Sequence, residues 1–114
     1  DFTMIDAVRA GADGIISVAA NAYPSIMNST YIQLLWENDK FIPQNIPKTK
    51  LNPKEFVLNN FFQLIFDEGN PSGIKFAMSS LNLCKEKVRL PLTEISRPLK
   101  NKISKFLFNY TDND

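Results

Sequence analysis

Gly14-Ile15-Ile16-Ser17-Val18-Ala19-Ala20-Asn21 is short, continuously apolar and β-branched at its centre. A run of that kind fits a strand buried on both faces, as in parallel sheets covered by helices. Helical patterns flank it. Upstream, Met4, Ile5, Val8 and Ala12 recur at three- and four-residue steps, so Thr3 to Ala12 reads as a short helix that Gly11 and Gly14 bracket at its end. Downstream, Tyr23-Pro24 opens a second helix, because a first-turn proline lacks only an N–H that would have no partner there. Its stripe is Ile26, Met27, Thr30, Tyr31, Leu34 and Leu35.

Further along, Pro43, Pro47 and Pro53 forbid a continuous helix, so 41–53 reads as a surface loop, with Lys48, Lys50 and Lys54 a solvated basic cluster. Lys54 to Asp67 has a helical pattern with apolar residues on more than one side, and Phe56, Phe61, Phe62 and Phe66 read as core packing. Gly69 to Gly73 reads as a turn, and a helix with Ile74, Ala77, Met78 and Leu81 on one face follows. Val88 to Leu92 is extended, with Pro91 excluding a central sheet position. Ser96 is the expected N-cap of a last helix burying Leu99, Ile103, Phe106 and Leu107, and Tyr110 to Asp114 reads as a frayed tail.

Bulk numbers exclude several classes. Thirteen basic and 12 acidic residues leave a formal charge of +1, which gives no reason to expect nucleic acid or an anionic membrane as partner. The 44% hydrophobic content is that of an ordinary globular protein, and no apolar stretch approaches a membrane span. The single cysteine, Cys84, reads as a small buried hydrophobe, and a reducing cytoplasm fits its lack of an internal partner. With no histidine, the commonest general base and metal ligand is absent.

One strand cannot make a sheet. Each backbone group buried without a partner costs roughly 1–3 kcal/mol. A run of them would rival the whole stability of a small domain, about 5–15 kcal/mol. No other segment offers a two-residue period to pair with residues 14–21. The expectation is therefore a helix–strand–helix piece of a larger α/β sheet, with helices around one lone strand whose edges are exposed.

Asp1-Phe2-Thr3 and Ala10 to Asn21 resemble the end of strand seven through strand eight of the dihydrodipicolinate synthase family, with Tyr23-Pro24 at the start of its eighth helix. Glu68-Gly69-Asn70-Pro71-Ser72-Gly73-Ile74-Lys75 is similar to the family's Asn-Pro turn, and Val88-Arg89-Leu90-Pro91-Leu92 to its Arg-Leu-Pro segment. The three motifs fall in the family's order. The proline cluster at 41–53 departs from its pattern.

The resemblance implies an α/β fold: the C-terminal portion of a (β/α)8 TIM barrel, around strand eight, plus a C-terminal helical extension, so that this stretch is mostly helical. A whole barrel runs to about 250 residues. The expected divisions are 1–38 for the barrel end, 39–53 for the proline-containing loop and 54–114 for the extension. The implied activity is a lyase reaction, condensation of pyruvate with aspartate 4-semialdehyde through a lysine Schiff base, in diaminopimelate and lysine biosynthesis. The implied assembly is a homotetramer, with no cofactor and no metal. The Schiff-base lysine and the proton relay of a tyrosine, a threonine and a second tyrosine are expected before Asp1, so no catalytic residue is assigned here and the chain alone is expected to be inactive. Three substrate-binding residues carry over. Ile16 matches the isoleucine whose main chain contacts pyruvate, Asp1 an acidic residue near the aldehyde entrance, and Asn70 the asparagine bordering the pocket. On the bare residues, Ile16 reads equally as a core strand position, Asp1 as an N-cap of the first helix and Asn70 as a turn residue before proline. A sialic-acid or keto-sugar-acid lyase of the same superfamily, or a non-catalytic helical interaction module, are the alternatives.

Overall fold

The computed structural model describes residues 1–37 and 55–111, and the side chains of 1–37 and 57–109. The expected loop and its basic cluster therefore lie outside the described residues, as does the Phe56 side chain. Five α-helices are described: α1 (Met4–Arg9), α2 (Pro24–Glu37), α3 (Glu55–Phe66), α4 (Ser72–Ser80) and α5 (Arg97–Thr111), with a 3-10 turn at Ala19–Asn21. No strand occurs among the described residues. The chain divides into two compact units, Asp1–Leu58 and Asn59–Asp114.

In the first unit, α1 is closed by Gly11 at φ +113. The Ala12 N–H donates to Ala7 O at 2.9 Å and the Gly11 N–H to Val8 O at 3.0 Å, the paired bonds of a Schellman cap. Met4, Ile5 and Val8 are buried on α1, which packs on α2. Pro24 opens α2 as expected, and Met27, Thr30, Ile32 and Leu34 are its buried residues. Ile26, Tyr31 and Leu35 are only half-buried, so the stripe is narrower than its spacing predicts. Arg9 and Glu37 pair at 3.2 Å across the helix ends.

The expected strand over 14–21 is not formed. Residues 14–17 have no regular structure, and Ala19–Asn21 turns as a 3-10 helix. A strand exists only through a ladder, and none of the described residues supplies one. Ile16, expected to be enclosed, is fully exposed at 103%. Gly14 is exposed too, with Ile15 and Ser17 half-buried, so the stretch is not enclosed as a core strand would be.

In the second unit, Phe61, Phe62 and Ile65 of α3, Ile74 and Ala77 of α4, and Leu99, Ile103 and Leu107 of α5 are all buried. The α3 side chains buried in this unit, Phe61, Phe62 and Ile65, follow one stripe at three- and four-residue steps rather than two faces. Phe66 is half-buried. Phe61 stacks on Phe106 with ring centroids 5.4 Å apart. Gly69, at φ +100, ends the α3 turn. Ser72 and Gly73, expected in that turn, are instead the first residues of α4. Gly73 permits a close approach, since a Cβ there would lie 2.1 Å from the Ile65 carbonyl oxygen.

Residues 81–96 run without regular structure, including Val88–Leu92, where Arg89 O accepts from the Leu92 N–H at 3.0 Å in a tight turn. Side chains tie this loop down. Lys75 Nζ donates to Lys87 O at 2.6 Å and Ser72 Oγ to Thr93 O at 2.6 Å. Lys100 pairs with Glu86 at 2.7 Å and Glu94 at 3.1 Å, and its ammonium lies 5.4 Å from the Phe76 ring centroid. The bond that Lys100 donates to Glu86 leads the effects that raise its pKa above the ordinary value. Ser96 caps α5 as predicted, its Oγ accepting from the Leu99 N–H at 3.4 Å. Glu68 in turn accepts from the Ser96 hydroxyl and from its N–H. Those two bonds, the hydroxyl's first, hold the Glu68 carboxyl below the usual carboxylate range. The α5 helix continues through Thr111, so the expected fraying does not begin at Tyr110. Cys84, expected buried, is exposed on this loop.

Candidate functional site

Residues 14–17 separate two open hollows on the first unit. One, of about 170 Å³, is lined by Asp1, Thr3, Met4, Ala7, Gly14, Ile15 and Ile16. The other, of about 340 Å³, has Asp13, Ser17, Met27, Asn28 and Tyr31 among its lining residues. The structure thus brings two of the three expected site residues, Asp1 and Ile16, to one hollow. Asn70 belongs to the second unit, where it sits exposed in the turn between α3 and α4.

Asp1 is not the N-cap of α1. Thr3 holds that position, and no side chain caps it. The Asp1 carboxylate reaches across instead, and its Oδ2 accepts from the Ala19 N–H at 3.0 Å. Its Oδ1 is buried without a partner among the described residues.

Ile16 lines this hollow while remaining fully exposed. Among the described residues, no backbone hydrogen bond reaches Gly14, Ile15, Ile16 or Ser17. Their N–H and C=O groups are available to a neighbouring strand or a small ligand.

Two groups escaped the sequence reading. Tyr31, read as part of the apolar stripe, donates its hydroxyl to Asp13 O at 2.5 Å. Ser17 Oγ accepts from the Ala20 N–H at 3.1 Å and starts the 3-10 turn. A serine three residues before an orphan helical N–H is a visible capping signal. The Tyr31 bond spans a separation with no periodic signature.

The dihydrodipicolinate synthetase family model matches residues 1–109. The chain belongs to this family. Among curated relatives, it is similar to the 4-hydroxy-tetrahydrodipicolinate synthase of Karelsulcia muelleri, 41% identical over 84% of this chain and 29% of that protein. The enzyme of the same name from Aquifex aeolicus is 34% identical over 88% of the chain and 31% of its own length. That of Flavobacterium psychrophilum is 30% identical over 93% and 33%. The chain therefore spans about a third of the length of the curated relatives it matches. Family membership extends across both units, so the Asn-Pro turn and the Arg-Leu-Pro segment fall inside the matched range with the 14–21 stretch. No helix among the described residues is long and apolar enough to cross a membrane.

Proposed function

We propose that residues 1–38 are the closing piece of a (β/α)8 barrel, that 39–53 connect it to a helical extension over 54–114, and that the whole protein is a Schiff-base lyase. Its reaction is the condensation of pyruvate with aspartate 4-semialdehyde to 4-hydroxy-tetrahydrodipicolinate, in the cytoplasm, as a homotetramer. The observation that carries this is the unpaired stretch at 14–17, placed between α1 and α2 in a chain of this family. Open backbone between two packed helices is what a barrel stave looks like without its neighbours.

In this reading the 14–17 stretch joins a parallel sheet, and Ile16 offers its main chain to the pyruvate carboxylate or ketone oxygen. Asp1 stands near the aldehyde entrance and Asn70 at the pocket border. The lysine amine that condenses with the pyruvate ketone, releasing water, and the tyrosines that relay protons lie outside these 114 residues. The chain alone provides backbone and positioning groups, which bind but do not turn over substrate.

The test is an aspartate 4-semialdehyde-dependent turnover assay. The 114-residue chain is expected to show none, and the polypeptide encoded by the complete reading frame to show it with pyruvate. Borohydride reduction in the presence of pyruvate should fix one pyruvyl group per active protomer. Turnover with a sialic or keto-sugar acid in place of the semialdehyde would move the assignment to another lyase of the superfamily. Turnover by the chain alone would overturn the division of labour.

A further inference from the structure

We propose that Asp1 and Tyr31 are positioning residues that clamp the two ends of residues 14–17 and so present the Ile16 main chain, free of backbone hydrogen bonds, to its partner. The functional half of this inference rests on the enzyme reading above; the clamp itself rests on geometry alone.

At the entrance of the segment, the Tyr31 hydroxyl donates to Asp13 O at 2.5 Å. At its exit, Asp1 Oδ2 accepts from the Ala19 N–H at 3.0 Å. The two bonds come from opposite sides, one from before α1 and one from the middle of α2. Beyond the exit, Val18 O accepts from the Asn21 N–H at 3.1 Å and from Asn21 Nδ2 at 3.0 Å, which turns the chain into α2. Between the clamps no backbone bond holds residues 14–17, and Gly14 has open space around its Cα.

A free segment of this length would sample many conformations. Holding it in one conformation is entropically unfavourable, and the two clamp bonds, one of them to a carboxylate, oppose that loss at its ends, so removal of either should release the segment. Ordering it beforehand lowers what a ligand or a neighbouring strand must supply.

The experiment has two arms. In the first, backbone chemical shifts of residues 14–18 are compared in the full 114-residue chain, in Tyr31→Phe and in Asp1→Ala. Extended shifts at Ile15 and Ile16 are expected in the parent and should fall by half or more in each variant, while α1 and α2 shifts stay helical. Asp1→Asn keeps an acceptor oxygen and should restore them. In the second, the complete polypeptide carries Tyr31→Phe, the clamp residue that stands outside the proposed substrate contacts. The KM for pyruvate should rise about two- to tenfold, the equivalent of one hydrogen bond, with kcat little changed. Extended shifts that persist in both variants, or that the parent lacks, would overturn the clamp. Unaltered KM with released shifts would overturn its functional role. A parent polypeptide without turnover would sink the enzyme reading and that role with it, leaving the shift arm to decide the clamp.

Discussion

Residues 81–96 and residues 14–18 are both irregular, yet they end differently. The longer loop is tied along its length by Lys75, Ser72, Lys100 and Glu68, and its Ile95 is buried at 5% exposure. The shorter segment is held at its ends, and its central isoleucine is wholly exposed. Irregular backbone whose polar groups are met within its own unit is finished. Irregular backbone with a free edge between two packed helices is prepared for a neighbour.

Glycine substitutions separate the two regions most sharply. Gly73→Ala drives a Cβ to 2.1 Å from the Ile65 carbonyl, so α3 and α4 must part. Thermal unfolding should report a loss of about 3 kcal/mol or more, the upper end for overpacking. Gly14→Ala, with nothing within 4 Å, should stay within about 1 kcal/mol. Equal effects at the two sites would erase the contrast. Isoleucine truncation sharpens it further. Ile103→Ala, at a fully buried position of α5, should lose about 2–5 kcal/mol in denaturant unfolding. Ile16→Ala should stay within about 0.5 kcal/mol in this chain, because its side chain is exposed.

The capping serine was legible, and its prediction is intermediate. Ser96→Ala should destabilise by about 1 kcal/mol, as loss of an N-cap does. Gly11 at the end of α1 and Pro24 at the start of α2 were legible for the same reason: each answers a local demand of helix ends. Long-range facts were not. The run at 14–21 has the composition of a strand, but a strand is a relation between segments, and no described segment supplies the other half. Asp1 had the composition of a cap and does cap a turn, though the one at Ala19, eighteen residues on. Cys84 was misplaced because the loop carrying it is anchored by charged side chains and leaves the thiol outside. The Tyr31 clamp left no trace in periodicity.

A smaller effect is expected with pH. The Glu68 carboxyl has its folded pKa lowered, first by the Ser96 hydroxyl and then by the Ser96 N–H. Its contribution is therefore present above the unfolded carboxylate value and lost as pH falls through the lower folded one. Unfolding followed from neutral to acid pH should show this slope, and Glu68→Gln should reduce it. The exposed Arg9–Glu37 pair is a small effect as well, and its removal by Arg9→Ala should change stability by less than about 1 kcal/mol.

Amide hydrogen exchange at Ile15 and Ile16 reaches the central claim most directly. In the 114-residue chain both amides should exchange at nearly the rate of an unstructured peptide, and in the polypeptide of the complete reading frame they should be protected by orders of magnitude. Strong protection already present in the chain alone, or none in the complete polypeptide, would contradict the account.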